Sequence, residues 1–600
     1  MATTFHVEIV KPSHYDRDGY VIQWWRAWIP SNSMACLYAI ARDCAERRVL
    51  GDDVAIEVDA YDEMNIRVPI EKIAARIDRP GHSGIVCLAG VQSNQFPRAM
   101  AIARQFRSRG IPVAIGGFHV SGCLSMLKDL RPELQEALDL GITLYAGEAE
   151  EHFASFLQDV HVGRAKPLYN YMHDLPNLQN QTIPYLPQRL VKRYDGILSS
   201  FDAGRGCPFQ CSFCTIINVQ GRKSRWRDAD DIERLVRQNA AEGIRKFFIT
   251  DDNFARNKNW EAIFDRLIEL RQRDGLRITF LIQVDVLAHL IPSFIEKAAR
   301  AGCHYAFIGL ESINPDNLVH MKKNQNRITE YRKMFQAWKE AGIITYAGFI
   351  MGLPGDTPAS IRRDIEIIQR ELPVDVLEFT MLTPLPGSED HQTLHNKGVW
   401  MDPDLNKYDL ENVTVAHPKM SAAEWQQAYR DVWTWYYTDE HVERMMKRSI
   451  AYGIKPVSIW RVVLQIYAAP HFEGVHPQQC GYFRLKDRTQ RRPEMPRVPA
   501  YLFYPRYAWE TLVKYARFGA YTLKIHRMRK RLAKDASLRN YCDLATTKVV
   551  DAEAEHLEMF DLNESSRAAV EKARKKIEQR RQREAAQHSE DEAVRIEAAK

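Results

Sequence analysis

Cys207, Cys211 and Cys214 stand in a C-x3-C-x2-C array, Cys207-Pro-Phe-Gln-Cys211-Ser-Phe-Cys214, directly after a short apolar run over 196–203. Three thiolates on one tight loop suit an iron-sulfur cubane. A 4Fe-4S cluster usually takes four cysteines, so a loop that offers three leaves one iron open to another ligand. Zinc is the competing reading, but structural zinc closes with four ligands, and the next Cys or His along the chain are His289 and Cys303. The spacing favours a cluster with a vacant corner.

Such a loop needs a scaffold, and strand and helix signals lie on both sides of it. The 600 residues, 45% hydrophobic and 27% charged, have the makeup of a globular protein of two or three domains, because single cores stop growing near ~300 residues. No apolar run reaches the ~18 residues of a membrane span. The start, Met1-Ala-Thr-Thr-Phe-His, lacks the basic and apolar regions of a secretory signal. The expectation is a cytoplasmic protein whose ten cysteines stay reduced instead of forming a disulfide framework. A net charge of +6 identifies no partner by itself.

Over residues 1–165, strand-like runs at 5–10, 54–58, 84–89, 113–116 and 143–146 alternate with helical segments, the pattern of an α/β, doubly wound parallel sheet. Such sheets bind ligands beyond the carboxyl ends of their strands. That points to Ser31, Asn32 and Ser33, to residues 89–95, to Gly116, Gly117 and His119, and to Gly147 and Glu148. Residues 166–195 carry four prolines and little periodicity, which predicts a linker. Over 196–400, strands are expected at 196–203, 246–250, 278–283, 305–309, 344–351 and 376–381, six units of an incomplete parallel barrel. Residues 401–550 are predicted to form a helical, aromatic-rich domain, and 551–600 a charged helical tail.

With Phe213 before the last cysteine, the array resembles the cluster loop of the radical S-adenosylmethionine (SAM) superfamily. Through Gly116-Gly117-Phe118-His119 and Ala146-Gly147-Glu148-Ala149-Glu150, the first domain resembles the flavodoxin-like, cobalamin-binding (B12-binding) domain that precedes many radical SAM barrels. The resemblance implies three cofactors: a 4Fe-4S cluster held by the three cysteines, SAM chelated to the open iron, and cobalamin. Asp251 and Asp252 stand where the family has Gly-Gly-Glu; a carboxylate there can accept from the ammonium of SAM, although Asp before a helix is also a routine N-cap. Gln283, Glu311 and Ser312 are implied to contact SAM, the last two at its ribose and carboxylate, with Met321-Lys322-Lys323 following, and Gly348 and Gly352 to let the backbone approach adenine. Ser31, Asn32, Ser33, Gly116, Gly117, Gly147 and Glu148 are implied to hold cobalamin. The Asp-x-His-x-x-Gly motif that brings histidine to cobalt in other B12 domains is absent. His119 is the nearest alternative ligand, against the hydrogen-bonding role more usual for a loop histidine.

The implied activity is reductive cleavage of SAM to a 5′-deoxyadenosyl radical and methylation of an unactivated carbon of a small or lipid-like substrate, with a reductant such as flavodoxin or ferredoxin. Oxidative cyclisation of a ring substrate by the same architecture stays open. An RNA-modifying enzyme related to the methylthiotransferases is disfavoured, because Cys36, Cys44, Cys87 and Cys123 are too dispersed to form a second cluster. A non-enzymatic corrin or iron-sulfur carrier is disfavoured by the SAM-facing loops. Trp425, Tyr429, Trp433, Trp435, Tyr436 and Tyr437 are expected to pack on the barrel more than to stack on a ligand. The basic, aromatic stretch over 484–531 reads as a solvated face or as a peripheral contact with an anionic membrane.

Overall fold

The computed structural model describes residues 3–549 and 556–598, so residues 551–555, 599 and 600 of the expected tail lie outside the described residues. Six parallel strands, β1 (Thr3–Lys11), β2 (Val54–Asp62), β3 (His82–Leu88), β4 (Val113–Gly116), β5 (Thr143–Ala146) and β6 (Leu168–Asn170), form the first sheet. Their spatial order is β2-β1-β3-β4-β5-β6, the flavodoxin-like order in which the direction of winding changes between β1 and β3. Helices cover both faces of the sheet, so Val7, Ile9 and Val10 of β1 are fully buried and its His6 and Glu8 are buried beside them. The strand β6 comes from residues expected to be linker. Its three residues are too few to carry a period-two signal, and pairing of Leu144 with Leu168 recruits them.

Helix α1 (Asn32–Glu46) begins at the carboxyl edge of this sheet, with Ser31 Oγ accepting from the Met34 N–H at 3.3 Å. Between β1 and α1 the segment Gln23–Ala27 leaves to pair antiparallel with Gly481–Leu485. A ladder between the two ends of the chain has no local signature, and sequence patterning missed it.

The second sheet has β7 (Leu198–Phe201), β8 (Lys246–Ile249), β9 (Thr279–Val284), β10 (Cys303–Glu311), β11 (Ile344–Met351) and β12 (Val376–Met381), all parallel and in sequential order. A helix follows each of the first five strands. Among the described residues nothing pairs β12 with β7, so the barrel is open. The free edge of β12 is capped by side chains, as exposed edges require. Tyr437 Oη donates to the Leu377 carbonyl at 2.8 Å and accepts from its N–H at 3.2 Å, and a ring nitrogen of His476 meets the Phe379 carbonyl at 3.1 Å.

The aromatic helix Ala422–Tyr436 buries Trp425, Tyr429, Trp433 and Tyr436 against the barrel, the packing role expected of them, with Trp433 edge-on to Phe379 at 5.1 Å. A long helix, Ala500–Leu532, follows. No described helix is long and apolar enough to cross a membrane.

Candidate active site

The cysteine loop leaves the barrel at the carboxyl end of β7. It is pinned at its start by Asp251, whose Oδ1 accepts from the N–H groups of Ala203 and Gly204 at 2.7 and 2.9 Å and whose Oδ2 accepts from Asn257 Nδ2 at 2.9 Å. At its far side the Ser212 N–H donates to the Met321 carbonyl at 3.0 Å, and the Cys207 N–H to Gly221 at 3.2 Å. Cys211 is buried and receives the Gln325 amide at 3.5 Å, while Cys207 and Cys214 are half-buried. A single tetrahedral zinc with ~2.3 Å bonds would draw its thiolates to about 3.8 Å of one another. Among the described residues these three sulfurs do not form a set within 4.8 Å of one another, so they are not gathered as closely as one zinc ion would need.

The two aspartates, equivalent by sequence, have different tasks. Asp251 is occupied as a backbone anchor. Among the described residues no other side chain hydrogen-bonds Asp252; burial followed by the charge of Asp251 pushes its carboxyl up to about 7, against a backbone hydrogen bond within the residue. It lies beside the cysteines: burial first, and then Asp252, pushes the Cys214 thiol up to about 12 and raises Cys207. An unpaired carboxylate next to the open side of a cluster fits the ammonium of an amino acid ligand. The N-cap reading holds for neither aspartate: the residue preceding the next helical turn is Asn253.

Glu311 ends β10 at a φ of +60°, with the Ser312 N–H donating to the Leu310 carbonyl at 2.7 Å in a tight γ-turn. The turn carries the Glu311 carboxylate back over Gly309, onto Lys323. A Cβ at Gly309 would meet Glu311 Oε1 at 2.7 Å and Lys323 Nζ at 2.8 Å, so a side chain there would displace the Glu311–Lys323 pair. Lys323 also stands 5.6 Å from the centre of the Phe213 ring, which ties this pair to the cluster loop. Ser312 is buried and its Oγ accepts from the Asn314 N–H at 3.1 Å; it holds the turn instead of facing the barrel mouth. Gln283 points its amide at the Asp251 carbonyl, 3.3 Å away.

The two glycines of β11 divide similarly. Gly348 faces the ring of Phe307 and the Glu311 carboxylate. Gly352, expected beside adenine, instead seats the indole of Trp425: with φ +87°, an added Cβ would come within 1.9 Å of that ring. The flat partner of this glycine is internal.

At the edge of the first sheet, Asn32, Ser33, Gly116, Gly117, Gly147 and Glu148 line one cavity of about 170 Å³. That is narrower than the usual ~300–1,000 Å³ of a ligand pocket, so it fits an inserted part of a large ligand. Two polar atoms in its wall, Asn32 Oδ1 and Tyr145 Oη, are buried without hydrogen-bond partners, as groups awaiting a polar ligand would be. Ser31 does not line the cavity; it caps α1. His119 does not line it either. It is 1% exposed beneath Phe96, with Nδ1 at 3.0 Å from Ser93 Oγ, because it starts the helix Phe118–Met126, which turns it away from the cavity.

Sequence reading missed the residue that joins the two regions. Arg205, two places before Cys207, donates from Nη1 to Glu148 and from Nη2 to Glu150, both at 2.6 Å, and from Nε to Asp202 at 3.0 Å. Arg225 adds a second contact to Glu148 at 2.8 Å. Against the upward push of burial, Arg205 and Arg227 hold the Asp202 carboxyl well below its ordinary value. Asp202 also takes Asn32 Nδ2 at 3.0 Å, so one buried ionic network runs from the cysteine loop to the cavity wall. The only signal was a clustering of Arg and acids near the two loops.

Residues 203–368 match the family model of the Radical SAM superfamily, and this part of the chain is a radical SAM domain. The chain is 26% identical over 382 residues to the bacteriochlorophyllide d C-8(2)-methyltransferase of Chlorobaculum tepidum, a match spanning 60% of this chain and 80% of that protein. It is 25% identical to the hopanoid C-2 methylase of Rhodopseudomonas palustris over 58% of this chain and 66% of that one. Among solved structures, TsrM from Kitasatospora setae, a radical SAM methyltransferase with cobalamin and a 4Fe-4S cluster bound, has the same fold, with a TM-score of 0.51, 16% identity and coverage of 74% of this chain and 90% of that one.

Proposed function

We propose that the chain is a cobalamin-dependent radical SAM methyltransferase that methylates an unactivated carbon of a small or lipid-like molecule. The observation that carries this reading is the Arg205 network, which couples a three-cysteine loop to a glycine-edged cavity with unsatisfied polar atoms. When bound, cluster and SAM supply an oxidant strong enough to take a hydrogen atom from an inert C–H bond, and cobalamin supplies the methyl group. The protein's share is placement. Cys207, Cys211 and Cys214 hold the cluster; Asp252 receives the ammonium of SAM; Glu311, held by Lys323, and the Gly348 backbone border the space left for the rest of it. Asn32, Ser33, Gly116, Gly117, Gly147 and Tyr145 hold the corrinoid. Asp251 keeps the cysteine loop in register and does not touch SAM.

The relatives named above are named for substrates that are large, flat and apolar, which supports a tetrapyrrole or polycyclic lipid here. Electrons come from a small reductant of the flavodoxin or ferredoxin class, and a reducing compartment such as the cytoplasm suits a chain whose ten cysteines are all free. The test is anaerobic reconstitution with cobalamin and SAM carrying a deuterated methyl group. Reduction should release 5′-deoxyadenosine and pass the label to one metabolite in an extract of a strain whose own copy carries Cys211→Ala. A full cluster with no deoxyadenosine on reduction would sink the proposal.

A further inference from the structure

His119 and Cys123 are four residues apart on the helix Phe118–Met126, one turn and therefore one face. Glu133 reaches them from the first turn of the next helix, Pro132–Asp139. One ligand atom from each of the three residues lies within 4.8 Å of the others, and no other such trio exists among the described residues. A plain His–Glu pair beside a bystander thiol is the simpler reading, but two observations count against it. His119 Nε2, in a residue 1% exposed, stands 3.6 Å from Glu133 Oε1, at ion-pair and not close hydrogen-bond distance, and that oxygen also accepts from Arg131 Nε at 3.3 Å. Its other nitrogen, Nδ1, is engaged by Ser93 Oγ at 3.0 Å, the arrangement that fixes a metal-binding imidazole in orientation and tautomer.

A cavity of about 320 Å³ opens beside this trio, with Glu133, Arg131 and His391 among its lining residues. His391 Nδ1 is buried and lacks a partner. We propose that His119, Cys123 and Glu133 bind a zinc ion, with the fourth position left to the cavity that Glu133 and His391 both line. Imidazole, thiolate and carboxylate together suit zinc, which accepts all three in tetrahedral geometry. The ion ties two parts of the chain that already touch there: Gly122 lies against the Pro386 carbonyl, and Gln392 donates its amide to the Met126 carbonyl. His119 thus serves a metal, but not the cobalt for which its loop position suggested it. This inference is independent of the proposed methyl transfer.

The first measurement is the metal content of the reconstituted full-length holoenzyme, where one equivalent of zinc per chain is expected beside the cluster iron. The second uses the full chain with Cys207, Cys211 and Cys214 all changed to Ala, titrated with Co²⁺ as a coloured zinc probe. Thiolate-to-cobalt charge-transfer absorption and tetrahedral ligand-field bands should appear in that chain and vanish in the same chain carrying Cys123→Ala or the near-isosteric Cys123→Ser. Zinc should raise the melting temperature of the parent and leave that of the Cys123 variants unmoved. Holoenzyme without zinc, or a charge-transfer band that survives loss of Cys123, overturns the site.

Discussion

The two parallel sheets end in opposite chemistries. The carboxyl edge of the first sheet offers Gly90, Gly116, Gly117 and Gly147 over an apolar floor that includes Leu37 and Phe156. The mouth of the barrel offers Asp252, Gln283, Glu311 and Lys323. A glycine-edged, apolar rim selects by shape and close backbone approach; a mouth with an unpaired carboxylate selects by charge. The same strand-to-helix topology therefore ends in a glycine-edged cavity with an apolar floor in one sheet and in a charged mouth in the other. The difference lies in the residues just past each strand, and the Arg205 network joins the two.

The hardest test of the contrast is at the cluster loop. Changing Cys207, Cys211 or Cys214 to Ala should abolish 5′-deoxyadenosine release while leaving cobalamin binding in place, read by anaerobic product analysis and corrinoid absorbance. Loss of both together would mean that the two regions do not act separately. Next in size is Arg205→Met, which leaves Glu150 a buried charge without its partner and leaves Glu148 with Arg225 and Asp202 with Arg227. Breaking such a set costs about 3–5 kcal/mol, measurable by denaturant unfolding, and should weaken both cofactors at once.

Charge in the barrel also has a pH signature. Glu378 on β12 is 4% exposed, and burial pushes its carboxyl from 4.5 up to about 7. A folded-state value above the unfolded one means stability that is full below pH 4.5 and lost as pH rises through 7. Glu378→Gln should remove that loss, so the stability difference between variant and wild type should grow by roughly 3 kcal/mol across this window. A difference that stays flat with pH would show that the contacts of Glu378 with Gln478 and with His476 Nε2, 3.4 Å from its Oε1, offset the effect of burial.

Gly352→Ala drives a methyl group into Trp425 at a left-handed φ and should destabilise by about 1–3 kcal/mol. If Gly352 serves packing alone, the SAM dissociation constant of the surviving folded protein stays unchanged. The smallest effect is expected for Tyr145→Phe. It removes a hydroxyl that has no partner in the chain, so stability should hold within about 0.5 kcal/mol, while cobalamin binding weakens by the about 0.5–1.5 kcal/mol of one hydrogen bond, read by equilibrium titration.

What the sequence by itself determined is everything carried by local spacing. The cysteines at 207, 211 and 214 are one loop whatever surrounds them, and apolar runs bounded by glycine become parallel strands because both their faces must be covered. Most of both sheets was therefore legible, as was the burial of Trp425, Tyr429 and Trp433. Tertiary structure decided what spacing leaves degenerate. Asp251 and Asp252 are adjacent and identical, and only the approach of Ala203 and Gly204 makes one an anchor and leaves the other free. Gly352 has the same backbone freedom beside adenine or beside an indole, and Trp425, distant in sequence, chose the indole. His119 stands one residue beyond Gly116-Gly117, yet the helix Phe118–Met126 turns it from the cavity towards Cys123 and Glu133. Arg205 found its acids in another domain. Apart from His119, which its own helix turns, the deciding partner lies far along the chain, and contacts of that kind are made by packing, which one-dimensional patterning does not record.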